Sequence, residues 1–171
     1  MTQADRGRGR RTGLAVVVTL GILLTAGSLR AADPGVRPTT LVISDGQGSV
    51  LARVPLAEDG AFTLRYRNSL YGTVAEERFV AVAGRFELQE LAARQLAVLE
   101  EYYAVSERPI RAPHGWWQAP PAYRMALDSL TVAATDLGRR TLLVAGQAPL
   151  ELWRMVDDAA PSVVLETVPA G

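Results

Sequence analysis

The sequence predicts a mostly-β fold, an antiparallel β-sandwich or partly open barrel carrying one short helix. Three observations point there. Short apolar runs recur at roughly 8–12-residue spacing, divided by clusters of Gly, Asp and Pro. Phe62, Leu64 and Tyr66 alternate with Thr63, Arg65 and Arg67, the two-residue period of a half-buried strand. The repeated helical segments that a parallel βαβ sheet requires are missing. The chain has 171 residues, 49% hydrophobic and 21% charged, which suits one domain with its own apolar core.

Taken in order, the chain opens on a basic head. Arg6, Arg8, Arg10 and Arg11 stand against Asp5 within residues 1–12. An uncharged stretch over residues 13–29 follows and ends in Ala26, Gly27 and Ser28. Basic head, apolar middle and small residues make the layout of a secretory signal. The same stretch reaches the lower limit for a membrane span, roughly 17–25 residues. Residues 1–31 are therefore expected to be a signal peptide or an N-terminal membrane anchor helix, with the head cytoplasmic under the positive-inside rule. Arg10-Arg11 loosely matches a twin-arginine export signal, which leaves the route open. The expected location is extracytoplasmic, in the periplasm or at the cell surface, anchored through residues 13–29 if the signal is not cleaved.

Residues 32–39, with Asp33, Pro34, Gly35 and Pro38, read as a linker before a single domain over residues 40–168. Strands are expected at 41–43, 50–56, 62–66, 74–82 and 86–91, and again within 125–134, 141–145, 150–155 and 163–168. Gly84-Arg85 gives the fourth and fifth a hairpin spacing. Leu91, Leu96, Leu99, Tyr102 and Tyr103 fall at helical intervals, so a helix is expected near 93–103, with Glu100-Glu101 on its solvated side. Residues 108–123 hold four prolines with Trp116 and Trp117, and read as a loop with at most a short strand at the tryptophans.

Composition removes several chemistries. Cysteine is absent, which excludes disulfides, thiolate metal sites and a cysteine nucleophile. His114 is the single histidine, so a multi-histidine metal site is excluded, and neither a metal nor a cofactor is expected. All 18 basic residues are arginine, which removes Schiff-base and P-loop lysine chemistry. From residue 33 onward 13 arginines face 17 acids, a balance unlike that of a nucleic-acid binder.

The most unusual local cluster runs from Tyr66 through Arg67, Asn68, Ser69, Leu70, Tyr71 and Gly72 to Glu76, Glu77 and Arg78. Alternation turns Asn68 toward the core face, where a buried amide needs partners. Ser69 and a carboxylate of the next strand are candidates for that role. This is either a small polar pocket or a satisfied strand end. Parity does not choose between Glu76 and Glu77, because apolar residues flank them on both faces. Ser69, His114 and an Asp can be assembled on paper into a hydrolase triad, but the flanks of Ser69 are no nucleophile elbow. Arg139-Arg140 tops a predicted hairpin, free in solvent or set against a carboxylate or phosphate. Trp116-Trp117 either packs one ring at the sandwich edge or stacks on a sugar or partner.

At Tyr66-Arg67-Asn68-Ser69-Leu70 and at Ala75-Glu76-Glu77 the chain resembles the family called domain of unknown function 1850. These are small exported bacterial proteins often encoded beside TAXI-type tripartite ATP-independent periplasmic (TRAP) transporters. Glu101-Tyr102-Tyr103, Gly115-Trp116-Trp117 and Gly138-Arg139-Arg140-Thr141-Leu142 extend the likeness over residues 40–168. Asn68 stands where the family has a histidine, and the family's Gly-Ala-Gly step is missing. The resemblance implies a non-catalytic accessory protein of a solute uptake system, binding a TRAP permease or solute-binding subunit or a small solute. Candidate binding residues are Tyr66, Asn68, Ser69, Glu76, Glu77 and Arg140. The alternatives are an exported hydrolase using the Ser69, Glu76 and Glu77 region, and a purely structural envelope protein.

Overall fold

A computed structural model describes residues 39–169, except Ala104 and Arg124. The expected signal or anchor over residues 1–31, and the linker up to residue 38, lie outside the described residues. Twelve strands follow in chain order: β1 (Thr39–Asp45), β2 (Val50–Pro55), β3 (Ala61–Asn68), β4 (Thr73–Val82), β5 (Arg85–Ala93), β6 (Ile110–Arg111), β7 (Trp117–Ala119), β8 (Ala126–Leu127), β9 (Ser129–Ala133), β10 (Thr141–Leu143), β11 (Leu150–Glu151) and β12 (Ser162–Pro169). They form two antiparallel sheets. One has the order β2-β1-β12-β9. The other runs β11-β10-β3-β4-β5-β7-β6, with β8 paired to the far end of β5. Among the described residues no helix is long and apolar enough to cross a membrane.

The alternation read from sequence places the core. Phe62, Leu64, Tyr66 and Asn68 are all buried on one face of β3 while Arg65 and Arg67 are exposed. Phe62 stacks on Phe79 of β4, ring centroids 5.3 Å apart, and meets Phe86 of β5 edge-on at 5.5 Å. Aromatic pairs of this kind contribute about 0.5–1.5 kcal/mol beyond the area they bury. Leu41 and Ile43 of β1, Leu130 of β9, and Val163 and Leu165 of β12 join these rings in one cluster fed by both sheets. A second cluster collects Tyr66, Ala75, Leu91, Ala93, Val98, Leu99 and Ala119 under the other end of the larger sheet.

Two turns show why the strands stop where they do. Ala83 and Gly84 both have positive φ, 49° and 81°, which makes the two-residue turn whose twist matches a β4–β5 hairpin. Gly60 has φ +65°, and a Cβ there would lie 2.4 Å from the Ala81 carbonyl oxygen. Its N–H donates to Ala57 and its carbonyl accepts from Ala81, so the chain passes this point in tight contact with β4.

Two expected elements differ. The helix near 93–103 shrinks to one turn of π-helix, Val98–Tyr102. Ala92 and Ala93 instead extend β5, paired with Glu76 and Ala75 on one side and with Gln118 and Trp117 on the other. Leu91 and Ala93 therefore serve a two-residue period, and the helical spacing that included Leu91 was coincidental. The strand expected over 150–155 ends at Glu151 and passes into a 3-10 turn, Leu152–Arg154.

Candidate functional site

Pairing of β3 with β4 sets Glu77 opposite Leu64 and Glu76 opposite Arg65, which settles what parity left open. Glu77 shares the inner face, between Ala75 of the second cluster and Phe79 of the first. A carboxylate thus sits at the seam of the two apolar clusters. Between Arg78 and Phe79 a bulge shifts the β4–β5 register, so Leu91 faces Glu77 and Leu88 faces Phe79.

A charge in that position needs partners. Arg140 supplies the first: its Nη1 donates to Glu77 Oε2 at 2.8 Å. The loop before β10 aims it. Thr135 Oγ1 accepts from the Gly138 N–H at 3.0 Å, Arg139 adopts a left-handed φ of 46°, and the Gly138 carbonyl accepts from the Arg67 N–H at 2.7 Å. Arg140 then turns inward, its Nε donating to the Ala133 carbonyl and its guanidinium carbon lying 4.6 Å from the Tyr66 ring centroid.

Tyr103 supplies the second partner, its hydroxyl donating to Glu77 Oε1 at 2.7 Å. The Tyr66 and Tyr103 hydroxyls are also bonded to each other. Because the one Tyr103 proton goes to Glu77, Tyr66 is the donor in that pair. The chain reads Tyr66 to Tyr103 to Glu77, with Arg140 closing it from the other side. Burial pushes the Tyr66 hydroxyl up to about 12, and pushes Tyr103 well above the ordinary tyrosine range with the Glu77 charge adding to it. Both phenols therefore stay protonated donors at neutral pH, suited to holding a carboxylate and unsuited to acting as bases.

Glu77 and Arg140 also face a cavity of about 300 Å³. Its walls are Phe79 and Leu88 of the larger sheet, Leu127 of β8, and Leu130, Thr131 and Val132 of β9, with Tyr123 and Met125 completing the lining. Tyr123 is 75% and Met125 59% exposed, which places them at its mouth. A small apolar cleft with a few convergent polar groups is the usual form of a ligand site. A larger space of about 420 Å³, bordered by Asp45, Gln47, Met155 and Asp157, contains none of the candidate residues.

The six candidates thus divide. Tyr66, Glu77 and Arg140 come together, Glu77 and Arg140 lining the cavity and Tyr66 packed behind them against Arg140. Glu76 lies on the outer face, only 4% exposed, held by Arg65 at 2.7 Å and Arg78 at 2.8 Å. Asn68 is buried, but its Oδ1 accepts from the Tyr71 N–H at 3.0 Å, so it closes the β3–β4 turn on backbone, where Ser69 and a carboxylate had been expected as partners. Ser69 is exposed in that turn, and its hydroxyl makes no hydrogen bond among the described residues. His114 is exposed with φ 62°, its carbonyl bonded to Arg94, whose guanidinium covers Trp116 at 4.5 Å. Trp117 packs on the second cluster. Sequence reasoning missed Tyr103, because it placed Tyr102 and Tyr103 together on one helix face. Among the described residues no group of three or more Asp, Glu or His is placed to hold a metal ion. Comparison of the chain with protein-family models, with curated proteins and with solved structures gives no match in any of the three.

Proposed function

We propose that this chain is a non-catalytic, extracytoplasmic accessory protein of a TAXI-type TRAP solute uptake system, which engages a small solute through the cavity beside Glu77 and Arg140. The observation that carries the reading is an ion pair held at the seam of two apolar clusters and facing an accessible cavity. A pair needed only for stability is easily replaced by apolar residues of similar volume, since burying charge costs about as much as pairing returns. A pair that also lines a cleft has a use that apolar residues lack. The resemblance at Tyr66–Leu70 and Ala75–Glu77 and the basic-apolar amino terminus supply the uptake and export parts of the reading. The barrel is read as partly open between β9 and β5, where the cavity emerges. The protein is tethered through residues 13–29 if the signal is retained, and a permease or solute-binding subunit is its expected partner.

The test is deletion of the gene in its native cell, followed by uptake through the neighbouring transporter and by affinity capture of the full-length protein from membranes. Slower uptake and co-capture of transporter subunits are expected. Unchanged uptake would refute the accessory role.

A further inference from the structure

From the charge balance of the cavity we infer the class of its ligand: a zwitterion with an apolar tail, such as an α-amino acid with a branched aliphatic side chain. This rests on reading the cavity as a solute site. One end of the cavity presents a cation and an anion already paired, Arg140 Nη1 to Glu77 Oε2 at 2.8 Å, with side chains only 14% and 17% exposed. A ligand bearing a carboxylate alone satisfies Arg140 and leaves the Glu77 charge uncompensated in a largely dry place. A ligand bearing an ammonium alone leaves Arg140 in the same position. Either costs the desolvation of an unpaired charge. A zwitterion adds one charge of each sign, so the four charges remain balanced.

The unused hydrogen-bonding capacity fits this head group. Arg140 commits Nε to Ala133 and Nη1 to Glu77, and among the described residues Nη2 makes no hydrogen bond, so it can meet a carboxylate. Glu77 accepts one bond on each oxygen, from Tyr103 and from Arg140, and each oxygen retains a lone pair for an ammonium. Apart from Thr131 and the Tyr123 phenol, the remaining lining is apolar, with Phe79, Leu88, Leu127, Leu130 and Val132 suited to an aliphatic tail. About 300 Å³ is at the lower bound of ligand cavities, which matches a single amino acid better than a peptide.

The experiment is calorimetric titration of the full-length protein in lipid nanodiscs with three probes of one tail: L-leucine, its keto acid α-ketoisocaproate, and isoamylamine. Leucine is expected to bind at least about tenfold more tightly than either half-headed analogue. Glu77→Gln, which keeps an acceptor for Tyr103, is expected to reverse the order toward α-ketoisocaproate. Val132→Trp, whose half-buried side chain shares the core-facing side of β9 with Leu130 on the cavity wall, is expected to abolish binding while circular dichroism stays unchanged. If either analogue binds as tightly as leucine, the zwitterion class is overturned and the cavity stands as a solute site. If none of the three binds the wild type, the inference is overturned, and the uptake assay decides the accessory role separately.

Discussion

Replacing Tyr103 by Phe removes one oxygen from a chain whose directions are fixed, so its cost can be worked out bond by bond. The hydroxyl donates to Glu77 Oε1 at 2.7 Å and accepts from Tyr66. Loss of a hydrogen bond to a charged group costs about 1.5–3 kcal/mol. Tyr66, itself 6% exposed, is left with a donor and no acceptor, which adds to the loss. We expect Tyr103→Phe to destabilise by about 2–4 kcal/mol. In equilibrium urea unfolding, with m of about 2 kcal/mol/M, the midpoint should fall by about 1–2 M at unchanged slope. Tyr66→Phe removes only the terminal donor and leaves an acceptor lone pair unfilled, so about 0.5–1.5 kcal/mol is expected. In the Tyr103→Phe background the same change deletes an orphaned hydroxyl and should be neutral or stabilising. A Tyr66→Phe cost equal to or above that of Tyr103→Phe, or additive costs in the double variant, would refute the assigned direction of the chain.

Further outcomes follow from other sites. Gly60→Ala forces a side chain into a left-handed turn against the Ala81 carbonyl and should cost about 2 kcal/mol or more, read as a lowered urea midpoint. Glu76→Ala strips two arginines of their carboxylate and should cost about 1–2 kcal/mol, less in high salt; a salt-independent loss would contradict an electrostatic origin. Tyr66 ionises near 12 when folded and near 10 when unfolded, so its contribution is complete below pH 10 and is lost as pH rises through about 12. Tyr103 shifts in the same direction, so both hydroxyls should resist spectroscopic titration until the chain unfolds. Ser69→Ala, in an exposed turn, should change stability by less than about 0.5 kcal/mol and leave uptake intact. A loss of function there would revive the hydrolase alternative.

What could be read from sequence was whatever a local period records. The alternation of Phe62, Leu64 and Tyr66 located the core face of β3, and its continuation correctly turned Asn68 inward. The same parity failed at Glu76 and Glu77, because β4 is covered on both faces: by the cluster within, and by Arg65 and Arg78 outside. Only pairing with β3, a contact between strands, separates the two carboxylates. Arg140 was noticed as half of an arginine pair, yet its partner lies 63 residues away and is reached through a loop whose turn depends on Thr135 and Arg139. Tyr103 was illegible for a similar reason. Its neighbour Tyr102 is 57% exposed, and nothing in the local pattern says which of two adjacent tyrosines turns toward the sheet.

The most direct test of the cavity as a working solute site is complementation. A deletion strain would receive either the wild-type gene or the Val132→Trp variant, with both proteins shown to be present at equal level, and uptake through the neighbouring transporter would be measured. Wild type should restore uptake, and the plugged variant should leave it at the deletion level. Full restoration by Val132→Trp would contradict the claim that the space beside Glu77 and Arg140 is where this protein acts.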